Sequence, residues 1–498
     1  MKTCKELFAS LDCTILGDEN EEVTGLAYRS DAVRPGDAFF CIVGLQVDGH
    51  TFAQDAIDRG ARVIVAERRL YLADATDVCV VIVSDTRQAM AKAACEFYDN
   101  PSRSFKLVGV TGTNGKTTTT YLVEALARRA GYKTGVIGTV GVKIGDEFLP
   151  SSHTTPESPD LQRTLAQMRD AGVEVVAMEV SSHALDLERT YGCEFAVTAF
   201  TNLTQDHLDY HHTFEAYFEA KALLFSDLYP ARRVVYVGDS WGQTLAKRVA
   251  EAGDELLTFA FAPEADIHPQ SIEYTPSHTE AELDVVGSVF EVSYPLVGKF
   301  NVENVMCAFA IGRQLGIEDG TIVNALSSVH AILGRLQRVS LAEGKAPLAV
   351  FVDYAHTPDA LVKALNSVRE LTTGKLIVVF GCGGDRDSTK RPIMGRAALA
   401  ADFAIVTNDN PRHEDPLAII GDIVAGMEDE DKSESSARFE VIPDRREAIF
   451  TAINMATPTD SVLIAGKGHE DYQIIGDVKT HFDDVEVARM ALEEKESA

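Results

Sequence analysis

The segment Leu107-Val-Gly-Val-Thr-Gly112-Thr-Asn-Gly115-Lys116-Thr117-Thr118 passes from an apolar run, through glycines, into the helix-like stretch 119–127. Glycines let backbone N–H groups converge on phosphate oxygens, and the start of a helix adds its dipole. Gly112, Thr113, Asn114, Gly115, Lys116, Thr117 and Thr118 therefore suit a nucleoside triphosphate, with Lys116 reaching the β- and γ-phosphates and Thr117 a Mg²⁺ ligand. The usual loop has four residues between its first glycine and Gly-Lys; here that first position is Val110, and only two residues separate Gly112 from Gly115. This is a variant loop, and its strand–loop–helix setting argues against a mere glycine turn carrying a solvated lysine. Such a loop does not name a reaction. A switch or motor ATPase uses water as phosphoryl acceptor, whereas a ligase uses a carboxylate.

Further along, Glu179 closes the apolar run 173–178, where a carboxylate can face the loop, and Asp409-Asn410-Pro411-Arg412 follows the run 403–406 and sets a guanidinium beside amide and carboxylate groups. Taken singly, the first is a strand-end glutamate and the second a turn with a surface arginine. Gly381-Cys-Gly-Gly-Asp-Arg386 after the run 376–380 invites a dinucleotide reading, but Gly-x-Gly-x-x-Gly needs glycine where Arg386 stands.

Short apolar runs at 107–110, 173–180, 349–352, 376–380 and 462–465 alternate with helical patterns, which predicts an α/β fold with mainly parallel sheets. The 498 residues suggest about three domains. The polar break 99–104 sets one boundary near 102, and 334–338, after the helical segment 301–333, sets a second; the expected units are 1–102, 103–335 and 336–498. The charged stretch 428–436 reads as a surface loop. With 46 basic against 76 acidic residues the chain carries −30, the wrong sign for gripping nucleic acid or an anionic membrane. Phosphate must then be held locally. No apolar run approaches the ~20 residues of a membrane span, the start has no signal-peptide pattern, and eight scattered cysteines form no Cys-x-x-Cys pair. A cytoplasmic protein without a zinc ribbon or disulfide framework is expected.

Several segments resemble the Mur ligases, the ATP-dependent amide-forming enzymes of peptidoglycan precursor synthesis. They are Gly112–Thr118, His153-Thr-Thr-Pro156, Glu179-Val-Ser-Ser-His183, Asn202-Leu-Thr-Gln-Asp-His-Leu-Asp209, Tyr217-Phe-Glu-Ala-Lys-Ala222, Gly298-Lys-Phe-Asn-Val-Glu-Asn304, Asp353-Tyr-Ala-His-Thr-Pro358, Phe380-Gly-Cys-Gly-Gly-Asp-Arg-Asp387, Asp409–Arg412 and Gly466-Lys-Gly-His-Glu470. They follow the family's order over about 360 residues. The resemblance implies an N-terminal uridine-nucleotide-binding domain, a central P-loop ATPase domain and a C-terminal Rossmann-like domain that brings the amino acid. It implies the addition of meso-diaminopimelate to the D-glutamate γ-carboxyl of UDP-N-acetylmuramoyl-L-alanyl-D-glutamate, through an acyl phosphate. L-lysine is the alternative amino acid, and a P-loop nucleotide switch or a folate-type polyglutamate ligase is a more distant alternative.

By the same resemblance, Lys116, Glu179, His207 and Lys221 are catalytic, and two Mg²⁺ sites draw on Thr117, Glu179, His207 and Lys221. A lysine ammonium has no lone pair for a metal. The family's lysine at this position becomes a CO₂-derived carbamate; without the resemblance, Lys221 is a solvated lysine in the helical run 214–225. Asn304, Arg335, Asp353 and His356 correspond to ATP contacts, and Ser30, Thr154, Thr155, Ser181 and Arg189 to UDP-muramoyl-dipeptide contacts. Gly36 and Asp48-Gly49-His50 also match the N-terminal domain. Two departures stand out: Arg29-Ser30-Asp31 replaces the usual Asp-Ser-Arg, and Leu187 replaces a glutamine of some relatives. Arg386, Asp409, Asn410, Pro411, Arg412, Gly466 and Glu470 correspond to diaminopimelate contacts. Arg412 would select meso-diaminopimelate over lysine, since only the former has a distal carboxylate for a planar guanidinium. The expected partners are these small molecules, and the expected state is a monomer.

Overall fold

The computed structural model describes residues 2–497 apart from 45–46, 72–76, 152, 276–277, 330–333, 340, 342–347 and 431–437. Three main sheets carry the fold.

The first has five strands in the spatial order Thr14–Leu16, Cys79–Ile82, Val63–Ala66, Asp37–Phe40 and Gly25–Ala27, parallel except at the Thr14–Leu16 edge. The second has eleven strands. At its centre Lys106–Thr111 lies between Val175–Glu179 and Val197–Phe200, parallel to both, and antiparallel strands finish the two ends. The third runs Gln337–Arg338, Ala349–Asp353, Ser461–Ala465, Leu376–Phe380, Phe403–Val406 and Arg438–Val441, parallel but for the short first strand.

Parallel strands covered by helices on both faces must be apolar on both faces. In the central sheet the alternation is visible residue by residue. Val175 and Ala177 enter one core with Val108 and Val110, while Val176 and Met178 enter the opposite core with Leu107. Helices Lys116–Arg129 and Lys299–Gln314 fill the first of these, and Ser158–Asp170 fills the second. The third sheet is likewise sandwiched between two apolar clusters.

Expected apolar runs become strands with their ends shifted by a residue or two. The helical segment predicted over 301–333 is instead two helices, Lys299–Gln314 and Asp319–Ser327, with Gly316 at positive φ between them; its end, 330–333, lies outside the described residues. The predicted loop 428–436 begins as helix, because Pro416–Glu430 runs through it, and 431–437 lie outside the described residues. Among the described residues no helix is long and apolar enough to cross a membrane, and all eight cysteines are free.

Candidate active site

The loop after Lys106–Thr111 turns at two glycines that the fold requires. Gly112 has φ 144° and Gly115 φ 87°, and an added Cβ would collide with Thr201 Oγ1 at the first and Asn304 Oδ1 at the second. Helix Lys116–Arg129 then starts at Gly115 with no side-chain cap, so its first N–H groups are free for a ligand. Lys116 Nζ folds back onto the loop, donating to the carbonyls of Gly112 and Thr113 at 2.9 Å each. The loop is braced from the neighbouring strand end: Asn114 N donates to Asn202 Oδ1 at 2.9 Å, and Thr201 Oγ1 donates to Asn114 O at 2.6 Å. Asn202 carries this bracing, and only its motif, not its role, is apparent from sequence.

Lys221 is the unusual group. It sits in helix Phe214–Ala222, 1% exposed, with Nζ donating to the same Gly112 carbonyl at 2.9 Å and lying 4.5 Å from the Tyr217 ring centroid. Burial first, and the Lys116 ammonium second, push its pKa well below the ordinary lysine value. The solvated reading of Lys221 is thus overturned. Its helix packs that face inward against the loop. His207 begins a neighbouring turn at φ 53°, its side chain 47% exposed and its Nε2 3.4 Å from Asp206 Oδ2; partial desolvation by its surroundings lowers its pKa to about 4. Its ring lies edge-on to His183 at 4.8 Å.

Glu179, the last residue of Val175–Glu179, is 1% exposed and faces the loop's sheet edge. Its carboxylate accepts from Thr139 N at 2.9 Å and Thr139 Oγ1 at 3.1 Å, and Thr139 Oγ1 is 3.0 Å from Thr154 Oγ1. Thr155 Oγ1 donates to the Glu179 carbonyl at 2.8 Å and accepts from Ser181 N at 3.1 Å. Arg189 Nη1 donates to Thr155 O at 3.0 Å, while its Nη2 pairs with Glu157 at 2.8 Å. Thr154, Thr155, Ser181 and Arg189 thus form one patch beside Glu179, with Arg189 already engaged.

The third sheet reaches the loop directly. Arg335 Nη2 donates to Thr117 Oγ1 at 2.9 Å, and its guanidinium lies 5.1 Å from the Tyr354 ring centroid. Asn304 is buried against Gly115 and donates to Asn301 Oδ1 at 3.1 Å. Asp353 faces the connecting segment, accepting from Leu336 N at 2.7 Å and Ala355 N at 2.9 Å. His356 Nδ1 is 2.8 Å from the Tyr354 carbonyl. A residue missed at the sequence level joins them. Asp359, in the first turn of helix Pro358–Leu371, accepts from Asn114 Nδ2 at 3.0 Å and Thr204 Oγ1 at 2.9 Å. Its signal was the Thr-Pro-Asp helix start, which reads as capping.

Further along the third sheet, the turn after Phe403–Val406 holds Asp409 and Asn410, 6% and 3% exposed, so Asp409–Arg412 is no ordinary surface turn. Arg412 takes φ 52° and donates through Nη1 to Gly384 O at 2.7 Å, near the Arg386 side chain, which is otherwise exposed. Asn410 Nδ2 donates to Glu470 Oε2 at 2.8 Å. Gly466, at φ 118°, could carry no Cβ without one landing 2.7 Å from Asp409 Oδ2. Burial, then the nearby Asp409 charge, raises the pKa of Glu470.

In the first sheet's unit, Ser30 and Gly49 line a cleft of about 400 Å³ with Tyr28, Phe39, Arg87 and Glu157. Arg29 pairs with Asp31 at 2.6 Å, so the inverted Arg29-Ser30-Asp31 order closes on itself at the rim. His50 Nδ1 lies 2.6 Å from Asp48 Oδ1 and His50 Nε2 accepts from Glu67 N at 3.0 Å, roles internal to that unit. Gly36 turns at φ 92° against Thr24. Among the described residues no group of three or more His, Cys, Asp or Glu is arranged to hold a metal. A Mg²⁺ site built from one hydroxyl, one carboxylate and phosphate oxygens does not need such a group; Thr117 Oγ1 here accepts from Arg335 and the Glu179 carboxylate from Thr139.

A glycine-turned loop on a mainly parallel sheet, met by Asp359 from the unit of a further mainly parallel sheet, defines the class: a P-loop α/β protein. The chain belongs to the Mur ligase family. Residues 110–312 match the Mur ligase middle domain, 334–468 the Mur ligase glutamate ligase domain, and 22–98 the Mur ligase family catalytic domain. The chain is 48% identical to the UDP-N-acetylmuramoyl-L-alanyl-D-glutamate–2,6-diaminopimelate ligase of Geobacillus thermodenitrificans over 483 residues, 96% of each chain. A solved structure of a ligase of that name is similar with a TM-score of 0.71 and 33% identity, covering 100% of both chains. The MurF ligase of Thermotoga maritima, solved with ADP, shares the fold at 20% identity and a TM-score of 0.63, covering 95% of this chain and 98% of that one.

Proposed function

We propose that this chain is an ATP- and Mg²⁺-dependent amide ligase of the cytoplasm that joins meso-diaminopimelate to the D-glutamate γ-carboxyl of UDP-N-acetylmuramoyl-L-alanyl-D-glutamate, a step of peptidoglycan precursor synthesis. The full-length 48% identity to a ligase of that name carries the reading. Its units are 1–102 for the uridine nucleotide, 103–335 for ATP and ligation, and 336–498 for the amino acid.

In this reading Lys116 leaves the Gly112 and Thr113 carbonyls for the β- and γ-phosphates, and loop N–H groups at the helix start hold phosphate oxygens. The γ-carboxylate of D-glutamate attacks the γ-phosphorus and ADP leaves; the amine of the incoming amino acid then attacks the acyl carbon, and the tetrahedral adduct expels phosphate as its nitrogen gives up a proton. Thr117, Glu179, His207 and a Lys221 carbamate would hold Mg²⁺, which supplies charge neutralisation on the transferring phosphoryl group. The surroundings of Lys221 support the carbamate, and those of His207 the cation. Buried Lys221, its pKa pushed well below the ordinary lysine value, gives up its ammonium proton more readily, and the freed amine can add to CO₂: nitrogen bonds to carbon, a further proton leaves, and an anion forms. The His207 ring is held neutral, with a nitrogen lone pair free for a cation. Asn304, Arg335, Asp353 and His356 surround the nucleotide, with Arg335 passing from Thr117 to phosphate. The dipeptide end lies along Thr154, Thr155, Ser181 and Arg189, with uridine toward Ser30. Arg386, Asp409, Asn410, Pro411, Arg412, Gly466 and Glu470 receive the amino acid. The arginine geometry favours meso-diaminopimelate over L-lysine, because Arg412 has a free edge beyond its one bond to Gly384.

The test supplies ATP, Mg²⁺ and the UDP-muramoyl dipeptide and compares ADP formation with meso-diaminopimelate, L-lysine or no amino acid. ADP formed chiefly with meso-diaminopimelate is expected. Equal turnover without any amino acid would instead point to a nucleotide switch.

A further inference from the structure

The proposed mechanism gives no task to Lys467, yet its side chain is 0% exposed. It stands between Gly466 and Gly468, at φ 118° and 55°, after strand Ser461–Ala465. Both glycines are sterically required: a Cβ would come within 2.7 Å of Asp409 Oδ2 at Gly466 and 2.6 Å of Tyr354 Cβ at Gly468. The double left-handed turn drives the lysine inward.

There its Nζ lies 3.1 Å from Asn410 Oδ1, 3.4 Å from Asp409 Oδ1 and 3.7 Å from Glu470 Oε2, with the Tyr472 ring centroid 5.6 Å away. Asn410 Oδ1 also accepts from Ile474 N at 3.0 Å. Two donors on one amide oxygen fix which way the amide faces, so Nδ2 must point to Glu470 Oε2, 2.8 Å away. A buried ammonium is costly unless its surroundings answer it, and here two carboxylates and an amide oxygen do. The other buried cation beside them, Arg445, is already closed on Asp484 by a two-bond pair at 2.8 and 2.7 Å. With Asp409, Glu470 and Lys467 all ionised, the cluster carries one net negative charge, and Arg412 is a further cation whose charge reaches Glu470.

We propose that Lys467 is the positioning residue of the amino-acid pocket: it locks the Asn410 amide and holds Asp409 and Glu470 as a singly negative receptor for the ammonium end of a diamino dicarboxylic acid, opposite Arg412. This rests on the functional reading above. Burial and Asp409 act to protonate Glu470, while Lys467 first, then the Asn410 hydrogen bond and the Arg412 charge, oppose them. Without the lysine, Glu470 holds its proton to higher pH and offers the substrate ammonium a neutral partner.

Two variants separate the contributions. Lys467→Gln keeps a donor for Asn410 but loses the charge; Lys467→Met loses both. The expected result is a KM for meso-diaminopimelate raised about tenfold or more in Lys467→Met and less in Lys467→Gln, with KM for ATP and for the UDP-muramoyl dipeptide within twofold of wild type. The amino-acid KM of Lys467→Gln is expected to improve as pH rises and Glu470 ionises. A second readout needs no substrate: carboxyl NMR of the unliganded protein, with Glu470 assigned by Glu470→Gln, should show its titration midpoint moved up in Lys467→Gln. An unmoved midpoint together with an unchanged amino-acid KM in folded variants overturns the proposal, as does failure of both variants to fold. If wild type makes no amide with meso-diaminopimelate, the functional reading fails, while the NMR midpoint still decides whether Lys467 sets the charge of the pocket.

Discussion

Lys221 and Arg412 are each forced into place by their neighbours, and each makes a measurable demand. Lys221→Ala removes the only amine that helix Phe214–Ala222 sends to the Gly112 carbonyl. Loss of most amide formation is expected, with partial rescue by a short added carboxylic acid; near wild-type turnover at saturating Mg²⁺ would discard the carbamate. For Arg412, a charged hydrogen bond is worth about 1.5–3 kcal/mol. Arg412→Ala should therefore lower kcat/KM for meso-diaminopimelate by roughly tenfold to a hundredfold and leave that for L-lysine nearly unchanged. Arg412→Lys should not restore it, because an ammonium cannot make a planar two-point contact. An unchanged ratio of the two specificity constants would remove Arg412 from the pocket. At this scale the sequence spoke clearly where a residue lies in a motif whose local shape matters, as for Gly112, Lys116 and Asp409–Arg412. It did not show what Asp359 touches, nor where Lys467 points, although Lys467 stands in the Gly466–Glu470 motif. Nothing local marks a helix-start aspartate as reaching a loop 245 residues away, or a lysine between glycines as turned inward.

Among the elements, the phosphate-loop helix and Pro358–Leu371 meet at Asn114, and their meeting can be perturbed from either side. Gly115→Ala puts a Cβ against Asn304 Oδ1 at a backbone φ of 87°, so it should abolish nucleotide binding and lower the melting temperature together. Asp359→Ala removes an acceptor shared by Asn114 and Thr204 without touching the loop backbone. KM for ATP should rise several-fold, while binding of the UDP-muramoyl dipeptide, measured by calorimetry, stays as in wild type. Equal losses for both ligands would mean that the aspartate supports the fold. Strands were legible as elements because burial on both faces writes continuous apolar runs such as 376–380. Element ends were not, because polar end residues such as Lys106 and Ser461 join the ladders through backbone pairing alone.

For the molecule as a whole, pH acts through histidines that desolvation holds below their ordinary pKa. Burial lowers His211 and His469 from 6.5 to about 4. Between those values the unfolded chain binds more protons than the folded one, so their contribution is full above about 6.5 and is lost as pH falls toward 4. Melting temperature should drop over that window, and His469→Gln should flatten part of the drop; an identical slope would clear His469. The alternation of apolar runs with helical patterns anticipated mainly parallel sheets, whereas the contacts between sheets were not legible, since they join residues hundreds of positions apart. Those contacts also have a mechanical side. Where the third sheet meets the loop, it is held by Arg335, the last residue of the central unit, which bridges Thr117 and the Tyr354 ring, by Asp359 on Asn114, and by Val297 entering the third sheet's core just before helix Lys299–Gln314. Two of these three anchors end on residues of the phosphate loop itself. A force drawing the last unit away would load that loop before it opened either core, so in an optical trap the first, low-force yield should be the one that added nucleotide shifts.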